Sequence, residues 1–116
     1  MRTMITAQGF DLSETLRDSV RKEIERFVQS TRRPVNVVAV HLVDGHGHPV
    51  DLQGRVVRGG DKLCRVCVGF GDDDAEVEDV DAEARFDQSV TEAFIKVMRA
   101  APRLRMSATR HLARAS

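Results

Sequence analysis

The chain has 116 residues, and its 18 Lys and Arg are balanced by 18 Asp and Glu, so the formal net charge is zero. That length fits one domain with a modest core, and five Phe with neither Trp nor Tyr leave that core to Val, Leu, Ile, Ala and Phe and exclude a platform of exposed rings for stacking bases. No apolar run approaches the ~20 residues of a membrane span. The opening MRTMITAQGF lacks the pattern of a signal peptide, and two cysteines are too few for a disulfide framework, so a reducing cytoplasm is the expected location.

In chain order, an apolar start around Met4 to Ala7 is followed by DLSETLRDSVRKEIERFVQSTRR, which predicts a helix with Ser13 as its cap and Glu14 in the first turn. Leu16, Val20, Ile24, Phe27 and Val28 recur at helical spacing, and Arg32, Arg33 and Pro34 supply a basic end and a stop. VNVVAVHLVD, Val35 to Asp44, carries Val on both alternations, as a central strand does, with His41 on its less apolar side. Gly and Pro then punctuate a long hairpin connection in which Val50 to Val57 could add a short strand. KLCRVCVGF alternates, with Cys64, Val66, Val68 and Phe70 on one face and Leu63, Arg65, Cys67 and Gly69 on the other.

Next comes DDDAEVEDVDAEAR, whose apolar positions slip by one near Glu78 and Asp79, which predicts a bulge or the end of a strand. Helical spacing returns through Val90, Ala93, Phe94, Val97 and Ala101, and Pro102 is expected to stop or kink this second helix. Residues 1–104 are thus expected to form one domain. Residues 105–116 follow as a basic tail, either a further short helical piece or a mobile segment. The element order predicts an α+β fold, a two-layer sandwich with both helices on one face of a largely antiparallel sheet.

Neutrality here is a sum of opposites. From Asp72 to Glu92 ten acids face the single Arg85, whereas from Lys96 to Ser116 six Lys or Arg face no acid. Charges farther apart than the roughly 8 Å screening length act separately, so a partner meets each patch on its own terms.

Several motifs invite chemistry and then fail it. Cys64 and Cys67 form C-x-x-C, but a redox pair opens a helix, whereas this pair sits in a predicted strand on opposite faces, as one core thiol and one surface thiol. A zinc site would have to draw on His46 and His48, and strand geometry separates the cysteines. The acidic run matches a calcium loop at four positions but has Val77 where that loop needs Gly. Nothing picks out a carboxylate pair, a nucleophile or a phosphate loop, so no enzyme activity, cofactor, metal or small-molecule substrate is expected. The basic residues say more. Lys96, Arg99, Arg103 and Arg110 form one stripe if the helix survives Pro102, and Lys22 and Arg26 stand one turn apart on the first helix, with Arg32 and Arg33 following. Such stripes are commonly solvated faces, but two of them on helices packed side by side would make one anion-binding surface.

At this point several strings resemble a known family. ITAQGFDLSETLRDSVRKEIERF, with its Leu16 and Arg17 pair, is similar to the opening of the ribosome hibernation promoting factor family, also called protein Y or the sigma-54 modulation family. VNVVAVHLVD resembles that family's second strand, and EDVDAEARFDQSVTEAFIKVMR its last strand and second helix. The resemblance spans residues 4–105. It implies a β-α-β-β-β-α fold shaped like double-stranded RNA-binding domains. It also implies binding to the ribosomal RNA of the small subunit, in the channel that mRNA and tRNA anticodon stems occupy, and arrest of translation in stressed or stationary cells. By position, Arg26, Lys96, Arg99 and Arg103 would face the RNA, with Arg17, Arg21 and Lys22 in support. The family's long forms join two ribosomes through a further C-terminal domain, and such pairing is not expected of this chain alone. Under this reading the acids of residues 75–84 lie on a sheet edge, where they discourage strand pairing and repel phosphates, so that docking is left to the helices. The rival reading makes the segment Asp72 to Glu83 a docking surface for a basic protein, in a divergent member that does not bind ribosomes.

Overall fold

The computed structural model of the chain describes residues 1–49, 51, 53, 55, 59–71 and 75–115, with residues 101–115 described by backbone alone. Its elements are β1 (Arg2–Gln8), α1 (Glu14–Ser30), β2 (Val35–Asp44), β3 (Lys62–Phe70), β4 (Glu76–Glu83) and α2 (Phe86–Ala115). The four strands form one sheet in the order β1-β2-β3-β4. β1 runs parallel to β2 across the α1 crossover, and the other two pairings are antiparallel. This is the expected α+β sandwich.

Local chemistry accounts for the elements. The Ser13 hydroxyl accepts the Leu16 N–H at 3.1 Å and so starts α1, and at the other end the Thr31 N–H closes on the Phe27 carbonyl at 3.0 Å. Val20, Ile24 and Phe27 are buried on one stripe, with Leu16 and Val28 packed against it. In β2 the alternation sends Val38, Val40 and Leu42 under the helices, where they join Cys64, Val66, Val68 and Phe70 of β3. Val90, Ala93, Phe94 and Val97 of α2 close the core, and the Phe27 and Phe94 rings meet at 5.6 Å where the helices touch. Each such aliphatic or aromatic side chain adds about 1.5–3 kcal/mol on full burial, so this one cluster carries the fold.

Three expectations are corrected. β4 contains no bulge, since its register against β3 runs unbroken from Gly69 opposite Glu76 to Lys62 opposite Glu83. The apolar pattern slips because Asp79 and Asp81 continue the helix-facing side that Val77 begins, and Asp81 has a cation waiting there. Arg33 does not extend a surface stripe; it is buried with its guanidinium 4.0 Å from the centre of the Phe70 ring. A guanidinium can be buried this way because it is weakly hydrated and stacks on aromatic faces. Finally, α2 does not stop at Pro102 but continues to Ala115. Proline's fixed φ suits a helix and costs it one backbone donor, and the neighbours Ala100, Ala101, Arg103 and Leu104 are strong helix formers. The short strand considered for Val50 to Val57 falls on a stretch of which only residues 51, 53 and 55 are described, and none of these is in a strand.

One end of the sandwich is tied by a polar network between three loops. Lys62 Nζ donates to Asp44 Oδ1 at 2.7 Å and to Asp61 Oδ2 at 3.1 Å, and it lies 5.7 Å from the Phe86 ring centre. The Phe86 ring in turn stacks on Phe10 at 4.8 Å. His46 takes a left-handed backbone with φ of 52°, which lets its N–H reach Asp44 Oδ1 at 2.8 Å and its Nε2–H donate to the Gly9 carbonyl at 2.6 Å. Gly9 itself has φ of 87°, and a Cβ there would stand 2.8 Å from the Asp44 carbonyl oxygen.

Candidate nucleic-acid interface

α1 and α2 lie side by side on the sheet, and between them runs an open groove. Its upper part, of about 220 Å³, is lined by Leu16, Ser19, Lys22, Glu23 and Arg26 from α1 and by Asp87, Val90 and Thr91 from α2. It continues between Ser30 on one side and Ile95 and Met98 on the other.

The basic residues of α1 divide over two flanks. Lys22 and Arg26 border the groove, both exposed, and Arg26 Nη1 donates to Glu23 Oε1 at 2.9 Å while keeping 73% of its side chain exposed. Arg17 stands nine residues earlier, two and a half turns, and so on the opposite flank. Arg21 stays in solvent with its guanidinium 3.7 Å from Asp18.

The basic residues of α2 also part company. Arg99 is exposed. Lys96 faces away from α1 and reaches down to the edge strand, where its Nζ sits 2.8 Å from Asp81 Oδ1 and donates to the Val80 carbonyl at 2.9 Å. Asp81 keeps only 11% of its side chain exposed, against 40% for Lys96. The side chains of Arg103, Arg110 and the other residues beyond position 100 lie outside the described residues. The groove therefore gathers Lys22 and Arg26, Arg99 shares the outer surface of the helix layer, and Lys96 is engaged with β4.

Two solved structures share this architecture. The N-terminal domain of Protein Y from Thermus thermophilus superposes with a TM-score of 0.59 at 13% identity, over 93% of this chain and 94% of that one. A ribosomal subunit interface protein from Coxiella burnetii superposes with a TM-score of 0.65 at 16% identity, over 94% of this chain and 99% of that one. This chain has their fold. No protein-family model matches the sequence, and neither does any curated protein.

Within that fold the acidic strand has a definite local job. β4 is the last strand of the sheet, and at Val80 its outward backbone groups are already taken. Asp79 Oδ1 accepts the Val80 N–H at 3.0 Å, and Lys96 caps the Val80 carbonyl. A carboxylate and an ammonium thus stand where an added strand would have to pair. Asp81 Oδ2 is buried without a hydrogen-bond partner among the described residues. The neighbouring Glu83 carboxyl is pushed up, first by the nearby Asp81 carboxylate and then by burial. Asp72, Asp73 and Asp74 lie outside the described residues.

The cysteines separate as the alternation predicts. Cys64 is buried in the core, where desolvation raises its thiol far above the ordinary range, and Cys67 lies on the opposite face. Cys67 is pushed up to about 12 by burial, with a further contribution from Glu76, whose Oε1 accepts the thiol proton at 2.7 Å. A single metal could not take both thiols from opposite faces of one strand. Among the described residues no His, Cys, Asp and Glu cluster could hold a metal ion, and no helix is long and apolar enough to cross a membrane.

Sequence reasoning missed the Lys96 and Asp81 pair, although both residues were in view. The one available signal was an acid at a core-facing strand position, which demands a cation nearby.

Proposed function

We propose that this protein is a ribosome-associated translation inhibitor of the hibernation type. It acts in the cytoplasm by lodging its helix layer against ribosomal RNA in the mRNA and tRNA channel of the small subunit, with no chemistry. The observation that supports this reading is the fold shared over 93% and 94% of the chain with Protein Y's N-terminal domain and a ribosomal subunit interface protein. Lys22, Arg26 and Arg99 make the principal phosphate contacts, since they stand in solvent on that layer. Arg17 and Arg21 support them from the far flank, and Arg103 continues the line along α2. Lys96 contributes chiefly by holding α2 to β4, with its remaining exposure turned towards the RNA.

The test is cosedimentation with purified small subunits over a range of salt, beside a Lys22, Arg26 and Arg99 triple Ala variant. Three phosphate contacts predict a log-log salt slope of about −2 to −3 for this component. Saturable binding that the variant weakens by more than about tenfold is the expected result. No binding at low salt would overturn the proposal and direct attention to basic protein partners of the acidic strand.

A further inference from the structure

The groove between the helices offers more than cations. Two basins meet in it, and Glu23, Arg26 and Thr91 line both. The second basin, of about 310 Å³, is floored by Phe27 and Phe94 and walled by Ile95 and Met98, the last of them 43% exposed. That is the small end of the size range of ligand pockets, and its lining is too apolar to suit a phosphate. The rim is charged instead. Arg26 lines both basins while most of its side chain stays in solvent, Lys22 stands one turn before it, and Arg99 is exposed next to Met98 in sequence. Glu23 keeps only 18% of its side chain exposed, and although Oε1 accepts from Arg26, Oε2 has no hydrogen-bond partner among the described residues.

We propose that this groove receives one unstacked nucleotide of an RNA strand, with the base in the apolar basin and its phosphate on Lys22 and Arg26. Such a pocket rests on the ribosomal reading and narrows its substrate. Helices that touched only phosphates would accept a continuous duplex, whereas a base can enter the groove only from a single strand, a bulge or a loop. A nucleotide fits better than an apolar peptide, because it joins a flat ring to an anion just as the groove joins an apolar floor to two cations one helical turn apart.

The chemistry of the walls selects among bases. Phe27 and Phe94 are only 2% and 3% exposed, so the base lies among Ile95, Met98 and Thr91 and is not stacked on a ring. Specificity then falls to the free Glu23 oxygen, which can only accept. It suits the exocyclic amino group that cytosine, adenine and guanine carry, and it repels the carbonyl oxygen that uracil presents in the same place.

Fluorescence tests the pocket directly. The chain has neither Trp nor Tyr, so Met98→Trp puts a single reporter in the basin, and Met4→Trp, equally exposed and on the far side of the sheet, is its control. Titration with oligocytidylate at low salt should quench the first variant, by stacking of the base on the indole, and leave the second unchanged. Oligouridylate of equal length has the same charge and should bind at least about tenfold more weakly, the worth of one hydrogen bond to a charged group. Glu23→Gln should narrow that preference, since an amide can turn either its oxygen or its NH2 to the base. A blunt RNA duplex should leave the emission of Met98→Trp unchanged. Oligocytidylate that fails to bind or binds without quenching overturns the inference, as do equal affinities for the two oligomers or a duplex that quenches as well. Those results leave the ribosomal reading standing if wild type still cosediments with small subunits, and loss of cosedimentation alone leaves the nucleotide pocket standing.

Discussion

α1 and α2 carry similar cations and use them in opposite ways. On α1, Arg26 lies beside an acid of its own helix and remains in solvent; on α2, Lys96 crosses to another element and holds a nearly buried carboxylate. The distances are almost the same, 2.9 Å and 2.8 Å, so length alone does not separate a surface pair from a structural one. Exposure of the cation does: Arg26 keeps 73% of its side chain in solvent and Lys96 40%, while the two acids, at 18% and 11%, are nearly alike. An exposed i,i+3 pair adds a few tenths of a kcal/mol, whereas an unpaired buried carboxylate costs several times that.

Four measurements sharpen or break this contrast. The largest effect is expected from Lys96→Met, which strands Asp81: urea unfolding should show a loss of about 2 kcal/mol, discounted from the fully buried case because Lys96 is partly in solvent. Adding Asp81→Leu to that variant should recover much of the loss, and a double variant no better than the single would show that the pair is not what matters. Next is Ser13→Ala, which removes the cap of α1 and should cost about 1 kcal/mol in the same assay. Smaller still is Arg26→Ala, with a change within about 0.5 kcal/mol in stability despite its part in the proposed RNA contacts. A large destabilisation there would erase the distinction between the helices.

The smallest effect concerns pH. Asp44 is held below its ordinary 3.8, mainly by the Lys62 hydrogen bond and also by the His46 N–H. The unfolded chain therefore takes up this proton first. The stabilisation is complete above the unfolded value and disappears as pH falls through the lower folded one. Thermal melts of wild type should lose stability below about pH 4, and Lys62→Met should flatten that limb.

Much of the fold could be read because its determinants are local. Ser13 and Glu14 mark a helix start within two residues, and the alternations in VNVVAVHLVD and KLCRVCVGF mark their faces without reference to anything else. The errors arose where the deciding partner is distant in sequence. Asp81 breaks the apolar period because Lys96 lies a helix away, and Arg33 leaves the surface because Phe70 offers a ring. Pro102 misled in a different manner, since its penalty is a local cost that the surrounding helix formers outweigh. For the interface, charge count and spacing located the cations, but only the packing angle of α2 tells that Arg99 is in solvent while Lys96 is bound.

Among the described residues β1 pairs with β2 alone, and its burial is shallow, with only Ile5 and Ala7 half-covered. In hydrogen-exchange terms it is the segment expected to open first, well below the free energy of global unfolding. Its departure would bare the backbone edge of VNVVAVHLV, a Val-rich strand with no charge from Val35 to Val43 when His41 is neutral. The opposite edge is closed at Val80 by Asp79 and Lys96, so the chain's exposure to amyloid-like stacking is one-sided. Amide exchange should show β1 opening ahead of β3 and β4, and shelf life in concentrated solution should follow that rate rather than the melting temperature.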